Sequence, residues 1–462
     1  MEQSQEHPTS WKPTDLVRYG ALWSPRLEQL SQTGDGAVAV LVCHGMGQQV
    51  RYETISSIAS AIQTAALEDG GRAEEITVHL SQANDDFLAR AELRWTDQQA
   101  ASHEVHVYEA YWAPVTEGKV TYWDTIKFLL RAAYNGLRYS LFGGTFQRWM
   151  FDGRKTLGID SFTSLALAAV LLVLGAQVGI IGYVSLRLAQ QYKAILSQPL
   201  PANHLLSWFQ WILPLFPGST VMWHQPICDR LWWAAAGHLL LWLVLIAEAY
   251  YVRYFIIEYV GDVAAYISPY KDSKFDDIRH RIQTIGLNVG KVIYGFDTSA
   301  TVPNYNRVVM VGHSLGSVLA YDTLNALINQ DSIDASGKQH DVVKRTRALV
   351  TFGSPLDKTA FIFRTQARND RQWIREQLAA SMQPLIVSYP QYRPNNSFRW
   401  VNIWSRMDVI SGSLEYYDDP TPDAALNPVI NLTDPDARIP FAAHLQYWDN
   451  KTLRDQLYKY VA

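Results

Sequence analysis

The chain of 462 residues is long enough for two or three average domains, or for one α/β domain carrying insertions. Its net charge of −4 offers no electrostatic basis for nucleic-acid binding, and its two cysteines, Cys43 and Cys228, suggest neither a disulfide framework nor a paired metal motif. The polar stretch 1–13 lacks the basic start and apolar core of a cleavable secretory signal, so charge and cysteine usage together suit a reducing, cytosol-facing protein.

Residues 1–36 are polar and turn-rich and read as a strap over the surface. Residues 37–43, Ala37-Val38-Ala39-Val40-Leu41-Val42-Cys43, form a continuous apolar run of the length expected for a strand buried on both faces. The run ends in His44-Gly45-Met46-Gly47, and an amphipathic helix is predicted over 52–67. Strands are expected at 76–80, 87–95 and 104–112, the last alternating apolar and polar residues. Strands mixed with helices argue for an α/β class with a mostly parallel sheet.

The pattern then breaks. Residues 161–186 are 26 residues without a formal charge, about 39 Å of helix against a hydrocarbon core of ~30 Å. A second apolar run spans 231–252, with Tyr250, Tyr251 and Tyr254 suited to an aromatic belt. The expectation is a transmembrane hairpin in a helical insertion at 116–261, with a buried core hairpin or a hydrophobic lid as alternatives. Arg131, Arg138, Arg148, Arg154 and Lys155 before the first run, and Arg253, Lys271 and Lys274 after the second, place both flanks on the cytoplasmic side of a membrane, the inner membrane if the source is bacterial.

Past the hairpin, a helix is predicted over 262–293. The run Arg307-Val308-Val309-Met310-Val311 enters Gly312-His313-Ser314-Leu315-Gly316, and a helical pattern follows over 318–328. Strand, sharp turn and helix with a serine at the apex read as a nucleophile elbow, in which Gly312 and Gly316 leave room where flanking backbones nearly touch. The bland alternative is a Gly/Ser turn in an ordinary βα unit. Residues 330–345 read as a loop, 348–352 as a strand ending in Gly353-Ser354-Pro355, and 371–382 as a helix. A strand follows at 398–404, then a Pro/Asp-rich loop over 418–440 and a final helix starting near Phe441.

A serine hydroxyl needs a histidine to take its proton and a carboxylate to hold that histidine in the right tautomer. In enzymes built on such an elbow, the chain order is serine, acid, histidine. Only His340 and His444 follow Ser314; His340 lies in a polar stretch that suits a solvated loop, which leaves His444 as the base. Asp408, four residues past the strand end at Trp404, is the expected acid, with Asp357 after the preceding strand as the alternative. Asp418, Asp419, Asp434 and Asp436 look like turn residues. The oxyanion donors expected are the N–H groups of Leu315 and Met46, with Gly45 allowing close backbone approach.

Cys43-His44-Gly45-Met46-Gly47, the elbow with its continuation to Asp322, Thr351-Phe352-Gly353-Ser354-Pro355, Asp408 and His444 together resemble the lipase and esterase branch of the α/β-hydrolases. The stretch 312–322 is particularly similar to DDHD-type phospholipases and to the lipase-like hydrolases that remodel GPI anchors. Bacterial lipase effectors with membrane-inserting segments form a second resemblance. The likeness implies an α/β-hydrolase fold in two parts, 37–115 and 262–462, interrupted by the insertion. It implies a serine hydrolase acting on an ester, with no metal or organic cofactor, and a hydrophobic anchor that holds the site against a bilayer makes a lipid ester the expected substrate. An esterase or acyltransferase on a soluble substrate, or a non-enzymatic membrane scaffold, would share the same elements. The insertion precedes the nucleophile strand, whereas lids in this fold usually follow the sixth strand.

Overall fold

The computed structural model describes residues 36–46, 49–83, 86–117, 119, 273–297, 302–333, 340–359, 398–408, 410–414, 417, 429–439 and 442–462, with isolated helical positions at Ala176, Gly179, Ile180, Tyr183, Leu243 and Tyr266. The strap, the helix predicted over 371–382 and, apart from those isolated positions, the hairpin runs 161–186 and 231–252 lie outside these residues. Among the described residues no helix is long and apolar enough to cross a membrane. The chain divides into two compact units, one of Met1–Leu157 with Ile257–Ala462 and one of Gly158–Ile256.

In the first unit, nine strands among the described residues build one mixed, mostly parallel sheet. In chain order the elements are β1 (Val38–Cys43), α1 (Glu53–Glu68), β2 (Arg72–Ala73), β3 (Thr77–Ala83), β4 (Asp86–Thr96), β5 (Ser102–Ala110) and α2 (Ala113–Thr116). They continue with α3 (Ser273–Tyr294), β6 (Arg307–His313), α4 (Leu315–Ile333), α5 (Val342–Arg345), β7 (Thr346–Phe352), β8 (Arg399–Trp404), β9 (Ile430–Thr433), a 3₁₀ turn at Ala443–Leu445 and α6 (Lys451–Val461). The sheet order is β2-β4-β5-β1-β6-β7-β8-β9, with β3 paired to β4. Strands β5, β1, β6, β7, β8 and β9 run parallel. The β2, β3 and β4 arm is antiparallel.

The central strands are buried because helices cover both sheet faces. Along β1, Ala39, Leu41 and Cys43 pack in one core cluster with residues of α3 and α4. Val38, Val40 and Val42 pack in a second cluster with residues of α1 and α6. Burial on both faces explains why β1 and β6 read as unbroken apolar runs rather than alternating ones.

Three boundaries differ from the expectation. The loop expected over 330–345 contains the end of α4 and the short helix α5, whose Val342 is fully buried. Strand β9 lies within the Pro/Asp-rich stretch 418–440; it pairs with β8 at the sheet edge and is only partly buried, so it carries no apolar run. The final helix starts at Lys451 rather than near Phe441, because residues 443–449 form a 3₁₀ turn and further turns.

Candidate active site

The parallel register lines up the ends of the central strands. Cys43 pairs with Ala110 and Gly312, His313 with Phe352, and Phe352 with Ile403. The loops after β1, β6, β7 and β8 therefore leave from one edge of the sheet, as ligand-binding loops do in open α/β folds.

Ser314 sits at the apex between β6 and α4 with φ of 54°, the left-handed region that non-glycine residues seldom occupy. Its N–H donates to Phe352 O at 3.0 Å, and its carbonyl accepts the Ser317 N–H at 2.9 Å. A methyl group on Gly312 would lie 2.5 Å from the Ser317 Cα, and one on Gly316 would collide with the carbonyl oxygens of Cys43 and His44. The two glycines are thus required by close backbone approach, as the motif suggested.

The structure brings Ser314, His444 and Asp408 together across 130 and 36 residues of chain. His444 Nε2 lies 2.8 Å from Ser314 Oγ, and His444 Nδ1 lies 2.9 Å from Asp408 Oδ2. An ionised carboxylate only accepts, so Nδ1 carries the proton and Nε2 presents a lone pair to the serine hydroxyl. All three side chains are buried. Burial would push the Asp408 carboxyl up. The hydrogen bond and charge of His444, with the Ile410 N–H and the Tyr447 hydroxyl, outweigh it and hold the group well below the usual carboxylate range. Asp357, the alternative acid, is not hydrogen-bonded to His444; its Oδ1 is buried without a partner among the described residues, and its Oδ2 lies 3.9 Å from Lys358 Nζ.

Gly45 lies against the elbow, where a methyl group would meet His313 Nδ1 at 2.9 Å and the Ser314 Cβ at 3.0 Å. Among the described residues, the N–H groups of Met46 and Leu315 have no hydrogen-bond partner.

Two histidines that the sequence reading passed over organise these loops. His44 stacks on Trp112 with ring centroids 4.8 Å apart, accepts the Trp112 N–H at Nε2 (2.9 Å) and donates from Nδ1 to Gly45 O (2.8 Å). Across a trans peptide the Gly45 carbonyl and the Met46 N–H point in opposite directions, so this bond turns the Met46 N–H away from His44. His313 donates from Nε2 to His444 O at 3.1 Å. Burial, the larger influence in each, lowers His44 to about 4 and His313 to about 3, so both are neutral near pH 7. A histidine beside an elbow or a glycine loop carries no distinctive spacing, which is why neither stood out.

A cluster of metal-ligating side-chain types lies elsewhere, on the antiparallel arm, where ligand atoms of Glu92, Glu104 and His106 come within 4.8 Å of one another. Its donor set does not suit a cation. Arg90 donates to Glu92 Oε1 at 2.7 Å, and Arg94 grips Glu104 Oε1 with two N–H groups at 3.1 and 2.7 Å. Two guanidinium groups already balance the two carboxylates. Cys43 is free and buried, and burial first, then the charge of Glu109, pushes its thiol far up, which leaves it unreactive. No family model, curated protein or solved structure matches the chain.

Proposed function

We propose that the chain is a serine hydrolase of carboxylic esters with an α/β-hydrolase fold, and that its substrate is a lipid, as in a lipase or phospholipase. The observation that carries the reading is the relay Ser314 Oγ, His444 Nε2, His444 Nδ1 and Asp408 Oδ2, with contacts of 2.8 and 2.9 Å and the tautomer that base catalysis needs. Ser314 Oγ attacks the ester carbonyl carbon while its proton passes to His444 Nε2. Asp408 stabilises the imidazolium that forms. The imidazolium then protonates the leaving alkoxide, leaving an acyl group on Ser314, and a water activated by His444 releases the acid.

The charge that develops on the carbonyl oxygen is assigned to the N–H groups of Leu315 and Met46, which have no partner among the described residues; loss of one such donor costs about 3–4 kcal/mol of barrier. No metal or organic cofactor enters these steps. The choice of a lipid rests on the uncharged run 161–186. Its described positions Ala176, Gly179, Ile180 and Tyr183 are helical, follow the i, i+3, i+4, i+7 spacing of one face, and are exposed. On this reading the hairpin anchors the chain in a membrane and the catalytic unit faces the cytoplasm.

The test is hydrolysis of p-nitrophenyl esters and of a phospholipid and acylglycerol panel in detergent, with wild type and Ser314→Ala. Wild type should turn over esters, prefer long acyl chains and label with a fluorophosphonate. Ser314→Ala should lose roughly 10⁶-fold in turnover and all labelling. Retained hydrolysis in Ser314→Ala overturns the nucleophile assignment, and preference for short soluble esters overturns the lipid assignment.

A further inference from the structure

We propose that Tyr447 is a positioning residue of this site, whose phenol holds the Asp408 carboxylate in place and limits how strongly that carboxylate draws positive charge onto His444. The inference rests on the reading of Ser314, His444 and Asp408 as a hydrolytic relay.

Tyr447 is fully buried and packs edge-on to Phe352 with ring centroids 6.2 Å apart. Packing alone would be served by phenylalanine, because a hydroxyl in the interior is a cost unless it finds a partner. The Tyr447 hydroxyl donates to Asp408 Oδ2 at 2.9 Å, the same oxygen that accepts His444 Nδ1–H. A phenol has one proton. Ser411 Oγ, 3.2 Å from the Tyr447 oxygen, is therefore the donor in that contact, and a chain Ser411 → Tyr447 → Asp408 results. The third bond to the carboxylate is the Ile410 N–H on Oδ1 at 2.9 Å. Burial first, then the charge of Asp408, pushes the Tyr447 hydroxyl well up, so it stays protonated as a donor.

The placement follows from local structure. His444 lies in the 3₁₀ turn Ala443–Leu445, and the turn continues with Gln446 N–H donating to Ala443 O. Residues three apart eclipse in such a turn, which sets Tyr447 on the side of His444 that faces Asp408. Two donors on one carboxylate oxygen share its charge. Removing the phenol proton concentrates that charge on the bond to His444, favours the imidazolium, and raises the pH at which His444 gives up its proton.

The other titratable groups facing this pair are His313 from β6, whose ring lies 5.1 Å from that of His444, and His44, which acts on His313 electrostatically. Lys358, after β7, donates to Ser411 O at 2.8 Å and lies beside Asp357. None of these contacts involves the phenol oxygen, so Tyr447→Phe leaves them in place.

The experiment is the pH dependence of kcat/KM on p-nitrophenyl butyrate for wild type, Tyr447→Phe and Ser411→Ala, together with titration of the His444 imidazole by NMR. The midpoint of the acidic limb reports the free enzyme's base. It should rise by roughly 0.5–1 pH unit in Tyr447→Phe. Ser411→Ala, which weakens the phenol as a donor, should move it less in the same direction. A lower plateau or lower melting temperature with an unmoved midpoint makes Tyr447 a packing residue and overturns the inference, as does an unchanged profile. Should Tyr447→Phe not fold, an unmoved midpoint in Ser411→Ala decides the same way. If wild type hydrolyses no ester, the proposed function fails, and the NMR titration still reads the His444 shift without any substrate.

Discussion

At the scale of single residues, the choice between Asp408 and Asp357 is one of hydrogen bonding rather than of residue type. Both carboxylates follow strands of the same sheet, but Asp408 alone is bonded to His444 Nδ1. Asp408→Asn should leave the fold intact and drop turnover about 10⁴-fold, because an amide donor favours the other imidazole tautomer. Asp357→Asn should stay within about threefold of wild type, as a change outside the relay. Ester turnover of the two variants, side by side, checks the assignment; a larger loss in Asp357→Asn reverses it. Ser314, His444 and Asp408 were legible because each sits at a position that strand, turn and chain order single out. His44, His313 and Tyr447 were not, because their roles arise from a loop carbonyl, a backbone turn and a carboxylate oxygen that only the folded chain brings near.

At the scale of elements, the long buried strands β1, β6 and β7 were read correctly because burial on both faces writes an apolar run into the sequence. Strand β9 and the turn around His444 were not, since an edge strand and a 3₁₀ turn draw their order from neighbours rather than from periodicity. Two of the site loops are held by neutral histidines, and this couples stability to pH. His313 falls to about 3 and His44 to about 4 in the fold, against ~6.5 in the unfolded chain. Above pH 6.5 neither state binds the protons. As pH falls from there towards about 4, the unfolded chain takes up two protons that the fold refuses, so stability declines. Each site contributes a slope of about 1.4 kcal/mol per pH unit in that window. Replacing His313 with glutamine, whose amide can also donate to His444 O, should remove one of the two. Denaturant unfolding at pH 6 and pH 5 should show wild type losing about 1.4 kcal/mol more than the variant over that step. Equal losses would mean that His313 is not held neutral in the fold.

At the scale of the whole molecule, the sheet is assembled from segments far apart in the chain. β1 pairs with β5 on one side and with β6 on the other, although β5 ends at Ala110 and β6 begins at Arg307. Continuity of the sheet across this gap means that the unit Gly158–Ile256 interrupts, in the chain, a sheet-bearing unit whose two parts each supply residues of the candidate site: Gly45 and Met46 from one, Ser314, Asp408 and His444 from the other. A segment inserted in this way is free to serve a purpose of its own. Its run of 26 residues without a formal charge exceeds the ~30 Å core of a bilayer when helical, and four described positions of one helical face are exposed apolar or aromatic residues or glycine. On the proposed reading, wild type in membranes should resist extraction with alkaline carbonate, and protease added to the cytoplasmic side should digest the sheet-bearing unit. Ser314→Ala should behave identically in both assays, since the serine takes no part in anchoring. Release by carbonate rules out the spanning hairpin and leaves a buried core hairpin or a lid as the account of the insertion. Protection of the sheet-bearing unit from cytoplasmic protease reverses the topology proposed from the flanking arginines and lysines.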